Sequence, residues 1–136
     1  MSNITQVVNV DKNMTTLKKG VIASGLDQVL SSTGPFTVFA PSDRAFGKLD
    51  KSILDNLLKP ENKTKLVELL NHHVVAGKVS FKDLKDGEKL KTVDGSELLV
   101  HIKDGSVNIN GAKIEQHDVQ TSNGVIHSLD TVMLRN

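Results

Sequence analysis

Imidazole is the side chain whose unperturbed charge changes near neutral pH, so histidine is the first residue type to weigh for chemistry. Five are present, His72, His73, His101, His117 and His127. His72 and His73 are adjacent and the others stand singly, so no His-x-x-x-His or His-Glu-x-x-His spacing offers two imidazoles to one metal ion. No metal site is expected. Cys is absent, which removes thiolate ligands, iron–sulfur clusters, disulfides and cysteine nucleophiles. His127, Ser128 and Asp130 have the residue types of an acyl-transfer triad, but neighbours along a strand point to opposite faces and the Gly-x-Ser-x-Gly elbow is missing. With neither Gly-x-Gly-x-x-Gly nor a Walker sequence to cradle phosphates, no cofactor is expected either. Asp83 and Asp86 lie among Lys82 and Lys85 and read as a solvated charged stretch rather than an acid/base pair. These residues predict a protein that is not an enzyme.

The elements that must position these residues follow from periodicity. Met14, Leu17, Val21, Ile22, Leu26, Val29 and Leu30 form one helical stripe, interrupted by Gly20 and Gly25. This predicts two short helices with a bend near Gly25, ended by the Ser31–Pro35 turn. Phe36 to Ala40 reads as a short buried strand stopped by Pro41, and Ser42 as the N-cap of a helix that carries Asp43 in its first turn and Phe46 as its anchor. Pro60 opens a further helix with Leu66, Val67, Leu69, Leu70 and Val74 on its inner side, passing into a strand at Val74 and Val75. From Lys89 onward, Asp94-Gly95, Asp104-Gly105 and Asn110-Gly111 punctuate short β-prone runs, predicting strands over Leu98–Ile102, Val107–Ile109, Lys113–His117 and Ile126–Leu134. The last of these is apolar on both faces and is expected to be covered on both, by helices or a second sheet. The fold class is α+β, helices first and hairpins later.

The chain has 136 residues, 38% hydrophobic and 24% charged, enough for one domain over residues 1–136 with its own core. Its net charge is +1 and it lacks Tyr and Trp, so a nucleic-acid partner is not expected, and partner association is expected to depend weakly on salt. No apolar run reaches the length of a membrane span, and the start of the chain has no signal-peptide pattern.

Three segments together resemble the fasciclin domain family. Gly34-Pro35-Phe36-Thr37-Val38-Phe39-Ala40-Pro41-Ser42-Asp43-Arg44-Ala45-Phe46 is similar to its first signature, Asn123 through Leu134 to its closing signature, and Leu70 through Gly77 to its Tyr-His segment. The resemblance covers about residues 3–134. It implies a twisted antiparallel β-sandwich or wedge flanked by several α-helices, and binding rather than catalysis. It implies a single-domain bacterial member, monomeric, secreted, periplasmic or on the cell surface, that contacts a protein or carbohydrate there. A small-ligand carrier with an apolar cleft between helices and sheet is the alternative. Carried over position by position, partner contact falls on His73, Val74, Val75, Asp118 and Val119; His72 stands where the family has Tyr, and Asp118-Val119 matches the animal Asp-Ile sequence loosely. Thr37, Phe39, Pro41, Phe46, Asn123, Gly124, His127 and Asp130 form the structural signature. Thr37, His127 and Asp130 stand among apolar neighbours and are expected to bond one another or nearby backbone, since an unpartnered buried polar group costs about 1 to 3 kcal/mol. Asn123-Gly124 is expected to turn the chain into the last strand.

Overall fold

A computed structural model describes residues 3–32, 34–48, 51–93 and 95–132. The helical stripe folds into the two predicted helices, α2 (Thr15–Ser24) and α3 (Leu26–Val29), with Gly25 left-handed at the break (φ 81°), but Ile22 and Val29 of the stripe are exposed, because Val21 and Leu26 beside them already fill the inward side. Ahead of them lies α1 (Ile4–Val10), closed by a reciprocal Asn3–Gln6 capping box. β1 (Phe36–Pro41) runs directly into α4 (Asp43–Phe46), and the Ser42 hydroxyl caps that helix at the Ala45 amide. α5 (Lys51–Leu57) lies on the surface. Pro60 opens a 3-10 turn, Pro60–Asn62, rather than the α-helix itself, which follows as α6 (Lys63–Asn71). Leu66, Leu69 and Leu70 are its buried side, and Val67 is only half-buried.

Among the described residues, eight strands form two four-stranded sheets. The first has the order β2-β1-β8-β7, with β2 (Val74–Ala76), β7 (Val119–Thr121) and β8 (Gly124–Leu129); the second has the order β3-β4-β5-β6, with β3 (Lys89–Lys91), β4 (Glu97–Lys103), β5 (Ser106–Ile109) and β6 (Ala112–Lys113). The second sheet is antiparallel throughout. The first is mixed, because β1 and β8 pair in parallel from Phe36↔Gly124 to Pro41↔Leu129. This departs from an all-antiparallel sandwich. Parallel neighbours need a long crossover, and most of the chain supplies it here.

Alternation along β1 and β8 sorts the core into two layers. Val38, Ala40 and Ile126 face the helices and join Ile4, Leu17, Val21, Phe46, Leu66 and Leu70 in one cluster. Phe39 and Leu129 face the second sheet and join Val75, Leu90, Leu98, Val100 and Ile109 in the other. The last strand is therefore covered on both faces, with all six residues buried.

Two predicted strands have other bounds. Lys113–His117 forms a strand only at Ala112–Lys113; Ile114 then bridges to Leu129, because this segment leaves β5 for β8 and must bend between the sheets. The final strand starts at Gly124 and ends at Leu129, not Leu134, because its partner β1 stops at Pro41 and Asp130 turns its amide to the Lys113 carbonyl. Met133 and Leu134 of that prediction, and Asp94 of the predicted turn, lie outside the described residues. Asp104-Gly105 and Asn110-Gly111 are turns with positive φ at both positions, as hairpins of this kind require.

Candidate functional site

Thr37 and His127 lie on the two central strands of the first sheet and bond to main chain rather than to one another. The Thr37 hydroxyl, fully buried, donates to the Gly77 carbonyl (2.7 Å) and accepts from the Val79 amide (2.8 Å). His127 sits opposite Phe39 across the β1–β8 ladder, and the two rings stack with centroids 5.6 Å apart. Its Nδ1 accepts from the Asp118 amide (3.1 Å), which leaves Nε2 carrying the proton that is donated to the Val79 carbonyl (2.8 Å). Burial holds this imidazole below its ordinary pKa, outweighing the opposite pull of the Val79 bond and the Asp118 charge. The ring is thus a neutral strut between two loops.

What it holds is a surface feature. Asp118 takes a left-handed conformation (φ 57°); its Oδ1 accepts from the Phe81 amide (3.0 Å) and its Oδ2 lies 3.2 Å from His117 Nδ1. The bond from Phe81, aided by His117, keeps this carboxyl below the usual carboxylate range against the opposing effect of burial. Phe81 and His117 stack face to face with centroids 3.9 Å apart, and the His117 side chain is 46% exposed. Two loops distant in sequence thereby present one aromatic pair beside a fixed carboxylate.

The residues expected to meet a partner lie on opposite edges of the first sheet, at β2 and β7. His73, Val74 and Val75 are turned into the protein, at 2%, 4% and 4% exposure. His73 Nδ1 donates to the Leu69 carbonyl (2.8 Å), so this residue and Val74 make the passage from helix to strand. Asp118 and Val119 are half-buried at the other edge. His72, in place of the family's Tyr, is buried with its ring edge-on to His73.

Asn123 does more than turn the chain. Its Oδ1 accepts from the Ile4 amide (3.0 Å) and its Nδ2 donates to the carbonyls of Leu30 (2.7 Å) and Ser32 (2.8 Å), tying the start of α1 and the end of α3 to the β7–β8 turn. Its own carbonyl accepts from Phe36 (2.9 Å). At Gly124 a Cβ would overlap the Phe36 carbonyl, so close approach of two backbones demands glycine there. Asp43, legible only as a residue of its own helix, also caps α2 from outside: its carboxylate accepts from the Thr16 amide (2.8 Å) and the Thr15 hydroxyl (2.7 Å). Burial alone would raise its pKa, yet these bonds bring it below the usual value.

His127, Ser128 and Asp130 go to separate partners. Ser128 Oγ accepts from the Gln116 amide (2.9 Å) and Asp130 Oδ1 from the Lys113 amide (2.9 Å), so the three form no proton relay. Among the described residues no three His, Asp or Glu side chains converge as a metal would need, and no helix is long and apolar enough to cross a membrane. The apolar gap between helices and sheet, lined by Val8, Leu17, Val21, Phe39 and Leu70, has about 10 Å³, the room of a single water. Larger recesses are open to the surface: about 460 Å³ beside Asn123 and Lys78, about 310 Å³ between Asp43, Arg44 and Glu115, and about 220 Å³ beside Leu58, Pro60 and Leu66.

A fasciclin domain family model matches residues 12–135. Protein sll1483 of Synechocystis is 43% identical over 131 residues, covering 96% of this chain and 72% of that protein. The transforming growth factor-beta-induced protein ig-h3 of Sus scrofa is 34% identical over 135 residues, 98% of this chain and 19% of that protein. Among solved structures, the FAS1 domain pair of the insect cell adhesion molecule Fasciclin I superposes with a TM-score of 0.88 at 22% identity, over 98% of this chain and 51% of that one.

Proposed function

The chain belongs to the fasciclin domain family, and from that premise we propose that it is a non-catalytic surface-interaction module. It works as one monomeric domain outside the cytoplasm and contacts a protein or carbohydrate of a cell surface or envelope. The observation that carries this reading is how the buried polar signature is used. The Thr37 hydroxyl and both ring nitrogens of His127 are spent on main-chain groups, and what they fix is an exposed loop pair. Buried groups with such partners are scaffolding. In this proposal Asp118 and Val119 make the contact, with His117 and Phe81 beside them, while His73, Val74 and Val75 act from beneath by fixing the β2 edge. Similarity to an insect cell adhesion molecule supports the same class of function. The carrier alternative needs an apolar cavity of about 300 Å³ or more, and the gap of about 10 Å³ gives it no support.

The test is capture from an envelope fraction of Synechocystis, the organism of the 43%-identical relative, on immobilised protein. Saturable capture is expected, with at least tenfold weaker binding to a His117→Ser, Asp118→Ser double variant whose thermal midpoint is confirmed by calorimetry. Absence of saturable capture by the unaltered chain would overturn the reading, as would capture indifferent to both substitutions.

A further inference from the structure

The outer face of the second sheet concentrates charge that the whole-chain sum conceals. Burial alternates along its strands, so Leu90, Leu98, Val100, Val107, Ile109 and Ala112 face the core and their neighbours face solvent. Register then places the outward residues side by side: Lys89 against Leu99, Lys91 against Glu97, His101 against Asn108, Lys103 against Ser106, and Asn108 against Lys113. Four are lysines, Glu97 is the single acidic residue among these strand positions, and Asp86 reaches the face from outside the strands, 3.6 Å from His101 Nδ1. Lys89, Lys91, Lys103 and Lys113 are all exposed. Among the described residues none of the four has a carboxylate within ion-pair distance, whereas Lys48 pairs with Asp130 and Arg44 with Glu115 on the α4 side. Lys89 and Lys91 stand on β3, Lys103 on β4 and Lys113 on β6, so the lysines span the sheet between outer strands that at ordinary spacing lie about 14 Å apart.

We infer that this face binds an acidic polysaccharide, a polymer of sugars bearing carboxylate or sulfate groups. Ammonium groups gathered on one sheet face complement a polyanion, and each contact releases a bound counterion. Neutral sugar is disfavoured as the primary ligand because these strands carry no Phe, Tyr or Trp, their one ring being the His101 imidazole beside Asp86, which leaves Ser106 and Asn108 for polar contacts. A lipid surface would call for apolar residues to insert, and Leu99 alone is of that kind there. Nucleic acid is disfavoured because the face has neither arginine nor a Phe, Tyr or Trp ring for bases to stack on. The net charge of +1 had implied weak salt dependence; charge gathered on one sheet reverses that expectation for this partner. The inference goes beyond the function proposed above and uses a face that includes none of its contact residues.

The test is affinity for immobilised alginate and heparin, with neutral dextran and duplex DNA as comparisons. Retention on both acidic polymers and none on dextran is expected, falling about tenfold or more between 50 and 200 mM salt. A Lys89→Gln, Lys91→Gln, Lys103→Gln, Lys113→Gln variant is expected to lose at least tenfold in affinity. A control with the same charge change on the helical side, Lys19→Gln, Lys59→Gln, Lys63→Gln, Lys65→Gln, is expected to lose less than twofold. Circular dichroism melts verify that both are folded. Equal losses in the two variants, no retention of the unaltered chain, or equal affinity for duplex DNA would each overturn the inference. Capture of envelope components through Asp118 is expected to survive the sheet substitutions, so the two proposals fail separately.

Discussion

Asn123→Ala removes the side-chain hydrogen bonds to Ile4, Leu30 and Ser32 at once, with a longer local one from the Thr121 hydroxyl (3.4 Å), and tests whether the β7–β8 turn anchors the helical layer. The bonds to Ile4 and Leu30 are partly buried, and the bond to Ser32 is exposed. Each of the first two is worth about 1 kcal/mol net, and an amide or carbonyl left without a partner adds part of a desolvation cost of about 1 to 3 kcal/mol. Water replaces the third partner at little cost. The sum is about 2 to 4 kcal/mol, a large share of the roughly 5 to 15 kcal/mol that holds a domain folded. Urea unfolding followed by circular dichroism measures it, with the slope unchanged if only stability is altered. Hydrogen exchange adds a spatial check: amides of α1 are expected to lose protection more than those of β4 and β5. A loss below 1 kcal/mol, or exchange raised uniformly, would refute the anchoring role.

Phe39→Ala is expected to cost about 3 to 5 kcal/mol by chemical denaturation, because Phe39 is fully buried between the sheets against His127 and Leu129. Because the folded His127 has a lowered pKa, the unfolded chain takes up the proton first. Its stability contribution is therefore complete above about pH 6.5 and declines as pH falls below it. Urea midpoints at pH 7.5 and 5.5 are expected to differ for the native chain and to differ less for His127→Asn. Asp43→Ala withdraws the external cap of α2 and is expected to cost about 1 to 2 kcal/mol at neutral pH, again read from urea midpoints.

Local chemistry made part of the fold legible. Phe36 to Ala40, the Ser42 cap and the break at Gly25 are written in consecutive residues, and each forms where expected, the strand running one residue further to Pro41. α1 was missed although Asn3 and Gln6 stand at capping-box spacing, because its apolar positions Ile4, Val7 and Val8 make barely two turns. β7 is three residues long, too short for alternation to show. The parallel sense of β1 and β8 leaves no mark in either strand, since pairing direction depends on the path between them. For the site, Thr37 and His127 were recognisable as buried polar residues in need of partners, but the partners are amides and carbonyls at Gly77, Val79 and Asp118, which no side-chain pattern reveals. Phe81 beside His117 joins residues that only the folded loops bring together. The lysine face needs strand register, because its members are scattered from position 89 to 113.

The parallel pairing of the first and last strands also dictates when the molecule can become itself. Ser42 and the Leu129 carbonyl that its hydroxyl meets are 87 positions apart, so β1 emerges from the ribosome long before the strand that covers its open edge. Closing so large a loop is entropically costly and is repaid only when both core layers assemble on the joined strands, which favours slow, late commitment. Until then, an apolar strand with unsatisfied amides is an invitation to intermolecular pairing. A chain cut short anywhere before Gly124 would lack the seam of both layers, and so be prone to aggregate rather than survive as a smaller, working version of the protein.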